Sequence, residues 1–165
     1  MLRKLSFILV LIVALFSLGC GPSLDNACGL GGVIPSDLPE NTVVANLEGA
    51  PFSQNATVTL NSNGSITAGL LSIIIARDET GTLTEDLILR RAFPICIPLG
   101  ERADDVGQAI YDGTYNTNEN NTGMLSILSE EEGAIFGRFE SQVGDTQGGP
   151  SLTFSEGAFN IEVSP

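Results

Sequence analysis

Between Thr42 and Val163, short apolar runs are cut by Gly, Asn, Asp or Pro at intervals of about ten residues, and apolar and polar residues alternate within several of them. This rhythm constrains the fold more than any other feature. A chain that turns an apolar side chain inward at every second position is built of strands. A helical domain would need sustained spacing of about 3.6 residues, and only 83–92 hints at it. Candidate strands are Thr42–Glu48, Ala56–Leu60, Ser65–Ala76, Leu83–Arg91, Phe93–Leu99, Gln108–Tyr115, Gly123–Leu128, Ala134–Glu140, and a closing pair, Leu152–Phe154 and Ala158–Val163. Gly49-Ala50-Pro51 reads as the end of the first strand, Asn63-Gly64 as a hairpin turn, and Gly69 as a bend or bulge. Pro94 and Pro98 restrict Phe93–Leu99 to an edge or irregular strand. About nine short strands in this arrangement predict an all-β domain over 42–165, an antiparallel β-sandwich or barrel.

The N-terminus is of another kind. Arg3 and Lys4 precede an apolar run from Leu5 to Leu18, broken only by Ser6 and Ser17 and closed by Gly19-Cys20. A basic start, a short apolar core and a small residue before a break form a secretory signal. The run is shorter than the roughly 20 residues a membrane-spanning helix needs. The ending Ser17-Leu18-Gly19-Cys20 resembles the lipobox of bacterial lipoproteins, with Ser17 where that family usually carries Leu, Val or Ile. The resemblance implies a signal peptide over 1–19, cleavage before Cys20, and a diacylglycerol on the Cys20 sulfur. Acyl chains on Cys20 would then be the contact with the membrane. Gly21, in place of the aspartate that holds many such lipoproteins at the inner membrane, points to the outer membrane. The alternative is an ordinary signal peptide cut nearby, with Cys20 removed or paired. Residues 20–41, punctuated by Gly21, Pro22, Gly29, Gly31, Gly32, Pro35 and Pro39, read as a flexible tether of about 25 Å root-mean-square span.

The C-terminal half carries Tyr111 with Gly113-Thr-Tyr115, Gly123-Met-Leu-Ser-Ile127, Ile135-Phe-Gly137-Arg-Phe139 and Glu156-Gly157-Ala-Phe159-Asn-Ile161. Together with Asn46-Leu-Glu-Gly49-Ala-Pro-Phe52, these resemble a family of small bacterial envelope lipoproteins with an all-β domain. In that pattern a hairpin carries Gly-x-Phe on its return strand, and a second Gly-x-Phe strand ends the chain. The resemblance implies the fold and carries no activity with it.

Charge and cysteine usage narrow the function classes. The chain has 7 basic and 20 acidic residues and no histidine. Removal of Arg3 and Lys4 would leave five arginines and a net charge of −15. Such a surface repels phosphate backbones and anionic headgroups, which argues against nucleic-acid binding and leaves membrane attachment to the acyl chains. Without histidine, Ser-His-Asp and Cys-His catalysis is excluded and zinc loses its commonest ligand. Once Cys20 is assigned to lipid, Cys28 and Cys96 form an even pair in an oxidising compartment, and a bridge between them is expected. It would close a loop of nearly seventy residues, worth on the order of 4 kcal/mol. Two separate thiols are the alternative.

Two further clusters are weighed. Asn116-x-Asn118-x-Asn120 spaces oxygen ligands, with Asp104, Asp105 and Asp112 not far off in sequence, but from Asn116 the sixth residue is Asn121 and the twelfth Ile127, so an EF-type calcium loop is not matched. Tyr111, Tyr115, Phe136, Phe139, Phe154 and Phe159 fit core positions better than a ligand pocket. The expectation is therefore a lipid-anchored envelope protein with a non-catalytic binding or structural β-domain, without cofactor or metal. Its alternatives are a β-barrel carrier of a small apolar ligand and a hydrolase using paired carboxylates.

Overall fold

The computed structural model describes residues 28–31, 34–59, 64–75, 93–101, 107–131 and 133–163. Ten strands lie in them: β1 (Thr42–Leu47), β2 (Ala50–Thr59), β3 (Ser65–Ala68), β4 (Leu71–Ile74), β5 (Ile95–Leu99), β6 (Gln108–Tyr111), β7 (Tyr115–Asn116), β8 (Gly123–Glu131), β9 (Ala134–Asp145) and β10 (Leu152–Glu162). The order is β10-β1-β2-β3-β4-β6-β7-β9-β8-β5, and β10 also pairs with β9. That last pairing closes an eight-stranded antiparallel barrel, with β8 and β5 added outside the ring on the edge of β9. Of the two architectures expected, the barrel is the one that forms.

β9 is the strand on which closure turns. Its Ala134–Val143 stretch pairs with β10 along one edge. Along the other, Ala134–Ser141 pairs with β8, and Gly144 and Asp145 pair with β7. The gap between β9 and β6 is therefore spanned in two ways. At one level β7 bridges it; at the other, β5 and β8 do, because Leu99 meets Gly107 just before β6 in a parallel bridge. Thr117 prolongs the short β7: its N–H donates to the Ala109 carbonyl, and its hydroxyl accepts from the Ala109 N–H at 3.1 Å.

Several connections are tighter than the sequence suggests. The run Ser65–Ala76 folds as two strands, since Gly69-Leu70 is a two-residue hairpin turn between paired Ala68 and Leu71. Gly69 takes φ +59° and opens that turn, the place where a II′ turn calls for glycine. Glu48-Gly49 is likewise a two-residue turn with both φ values positive, so Ala50 and Pro51 begin β2 instead of ending β1. Asp112–Thr114 splits the expected strand Gln108–Tyr115 into β6 and β7. The last two expected strands are one, β10, with a bulge between Phe154 and Gly157. The candidate strand Leu83–Arg91 and the Asn63 turn residue lie outside the described residues.

The barrel is filled with side chains. Phe139, Phe154, Phe159, Ile66, Ile73, Leu125, Ile127, Ile135 and Ile161 are all essentially inaccessible and belong to one cluster. Phe154 packs against Phe52, Tyr111 and Phe139, with ring centroids 5.6, 5.4 and 6.2 Å away. Ser53, Asn55 and Thr57 on β2 and Thr67 on β3 are exposed. An apolar inside and a polar outside along β2 and β3 reverse the arrangement of a barrel that faces lipid.

The two Gly-x-Phe pieces interlock. On neighbouring β9 and β10, Gly137 lies directly opposite Phe159 and Gly157 directly opposite Phe139. A Cβ on Gly137 would come within 2.2 Å of both the Phe159 ring and the Ser126 carbonyl, and one on Gly157 within 2.4 Å of the Phe139 carbonyl. Each phenylalanine ring thus occupies the space its partner glycine leaves open, which holds the register across the strand pair that closes the barrel.

Candidate functional site

The outer face of β5, β8, β9 and β10 is not bare. Registers carry Cys96 to Ser126, Ser126 to Arg138 and Arg138 to Ala158, so these four share the face opposite the core. Yet Ser126, Arg138, Ala158 and Asn160 are buried. The described part of the segment before β1 meets two of them, Ser126 through Cys28 and Asn160 through Leu38. Cys28 is bridged to Cys96, with Cα atoms 5.4 Å apart, as expected from the cysteine count. Bridged sulfurs carry no proton, so the Ser126 hydroxyl, 3.1 Å from the Cys28 sulfur, is the donor between them. Leu30 is 4% exposed. The Asn160 amide donates to the Leu38 carbonyl at 3.1 Å, and the Glu162 N–H to the Asn41 side chain at 2.9 Å.

From Cys28 onward, the described residues of the stretch read as a flexible tether over 20–41 are fastened to the barrel at several points, the disulfide among them. Glycine and proline content signals absent secondary structure, and it does not distinguish a free chain from one packed on a surface. Leu30, an apolar residue two places after the bridged cysteine, is the sequence signal for packing. Cys20 lies outside the described residues.

Beside the strap is an open depression of about 340 Å³, lined by Cys28, Leu30, Met124, Glu140 and Ser141 among others. The Ser141 hydroxyl is buried without a hydrogen-bond partner. It borders the disulfide through Cys28, and Glu140 is the acidic side chain in its lining.

The remaining candidates resolve into structural roles. The Asn118 carbonyl oxygen accepts from the backbone N–H of Asn120 and Asn121 and from the Asn121 amide, at 2.9, 2.9 and 3.1 Å. It closes its own loop and is not turned towards an ion. Asp145 similarly accepts from the N–H groups of Gln147 and Gly149. Among the described residues no group of three or more Cys, Asp or Glu is placed to hold a metal. Asp104 and Asp105 lie outside them, and Asp112 is exposed in the β6–β7 turn. Glu156, in the β10 bulge, accepts from the Asn46 amide at 2.6 Å, while Glu48 in the β1–β2 turn accepts from the Thr153 N–H. Both carboxylates tie β1 to β10 on an exposed surface. Of the aromatic residues weighed as a pocket, Phe139, Phe154 and Phe159 are core and Tyr111 and Tyr115 pack against it, while Phe136 is half-buried on the outward side of β9.

No family model matches the chain, and no curated protein or solved structure matches it significantly. Among the described residues no helix is long and apolar enough to cross a membrane.

Proposed function

We propose that the protein is a lipid-anchored component of a bacterial cell envelope, exported by its first 19 residues and acylated on Cys20, with the outer membrane as its destination. Its barrel serves as a non-catalytic binding or structural module. The observation that carries this reading is the Cys28–Cys96 disulfide. Structural disulfides persist in oxidising compartments, so the bridge agrees with the export signal encoded in 1–19. It also engages two of the three cysteines, which leaves Cys20, at the end of the apolar run, as the one for lipid. A barrel interior packed with phenylalanine and isoleucine supports a structural or surface-binding role over carriage of an apolar ligand within the barrel. Glu48 and Glu156, both engaged in strand-tying hydrogen bonds on an exposed surface, offer little support to a hydrolase.

The test is metabolic labelling with a fatty acid followed by membrane fractionation. The wild-type protein is expected to carry label and to sediment with membranes, and Cys20→Ala to lose both. An unlabelled, soluble wild-type chain would refute the anchor.

A further inference from the structure

Resting on the lipid-anchor reading above, we infer that the face of the barrel beside Cys28, on β8, β9 and β10, is held towards the bilayer at close range, with β3 on the far side. The disulfide sets this geometry. If the chain between Cys20 and β1 were free, it could place the barrel as far as about 75 Å from the acyl chains when fully drawn out. Bonded to Cys96 and packed through Leu30, Cys28 is instead a fixed point on the barrel wall. Only residues 21–27 then lie between it and Cys20, and whatever their conformation they reach about 28 Å at most. Cys28 is bonded to Cys96 on β5, meets Ser126 on β8 and borders the same depression as Gln142 on β9 and Thr153 on β10, so the leash leaves from this wall and not from the start of β1; the Asn160–Leu38 and Glu162–Asn41 hydrogen bonds hold the rest of the strap there.

The ring order sets which wall is far. In the sequence β10-β1-β2-β3-β4-β6-β7-β9, β3 lies four strands from β9 in either direction, directly across the barrel. Charge does not reverse this orientation. An acidic domain is repelled by anionic headgroups and moves to the end of its leash, but it still presents the wall to which the leash is attached.

The chain contains no tryptophan, so a single introduced one is a clean energy-transfer donor. Gln142 on β9 and Thr67 on β3 are both exposed and serve as near and far positions. The full-length, disulfide-intact Gln142→Trp and Thr67→Trp proteins are reconstituted in phosphatidylcholine vesicles containing a small fraction of dansylated headgroups. Transfer from Gln142→Trp is expected to exceed that from Thr67→Trp by about twofold or more, because the far wall adds a barrel diameter. Inserting about twenty Gly/Ser residues between 27 and 28, which leaves the folded domain untouched, is expected to abolish the difference. Equal transfer at native leash length overturns the inference, as does a difference that survives the spacer. The mass of the N-terminal peptide separates this failure from that of the anchor itself. If Cys20 carries no acyl chain the anchor reading falls, and coupling Cys20 to a maleimide lipid then tests the leash geometry alone, by the same two outcomes.

Discussion

At the scale of single residues, the closure of the barrel depends on two absences. Gly137 and Gly157 have no Cβ, and the space is taken by Phe159 and Phe139. The atoms nearest to an added methyl include backbone carbonyls, which cannot swing aside as a side chain would. Gly137→Ala or Gly157→Ala is therefore expected to destabilise the domain by about 2–3 kcal/mol or more, read as a lowered urea midpoint. An unchanged midpoint for either would remove the interlock. Thr117 makes a second kind of demand. Its buried hydroxyl accepts from the N–H of Ala109, itself inaccessible to water. Thr117→Val keeps the shape but leaves that N–H unsatisfied, at a cost of about 1–3 kcal/mol, whereas Thr117→Ser is expected to retain most of the stability. Equal losses in the two variants would assign the effect to packing.

The strap and the hairpins belong to the scale of elements. Leu30 is buried outside any strand, and truncating it removes apolar contact without disturbing any strand pairing. Leu30→Ala is expected to cost about 2–3 kcal/mol and to increase proteolysis within 28–41 well before the barrel is cut. A strap that stays protected in this variant would show that the disulfide and the Leu38 and Asn41 hydrogen bonds hold it unaided. At the Gly69-Leu70 turn, the glycine conformation is required by a hairpin of two residues. The presence of Gly69 was visible in the sequence, and so was the β character on both sides of it. A bend and a tight turn place the same demand on φ, and only the pairing of Ala68 with Leu71 distinguishes them. The same holds for Ser155-Glu156: chain spacing separates two short strands there, while the paired structure carries one strand through a bulge.

For the molecule as a whole, the disulfide connects the strand at the end of the sheet order to the segment before the first one. β5 is the outermost strand beyond the closed ring, held by β8 on one side and by the Leu99–Gly107 bridge near its end. Cys28–Cys96 fastens it to the strap as well, across 68 residues of chain. Reduction, or Cys28→Ser with Cys96→Ser, is expected to lower stability by about 2–5 kcal/mol and to raise amide exchange first in β5 and the strap, with β9 and β10 last to open. Uniform exchange across all ten strands would mean that β5 and the ring unfold as one unit.

The alternation of apolar and polar residues, and the turn residues between the runs, determined without any tertiary information that the described part of this chain is built of strands, and roughly where those strands lie. These properties are local, because side chains on a strand alternate faces whatever the strand's neighbours are. Closure into a barrel, the reciprocal seating of Gly137 and Gly157 under Phe159 and Phe139, and the packing of the strap over β8–β10 were decided only in three dimensions. Each joins residues distant in the chain, and the physical quantity that selects them is the space left between two strands once both are in place, which no single stretch of sequence contains.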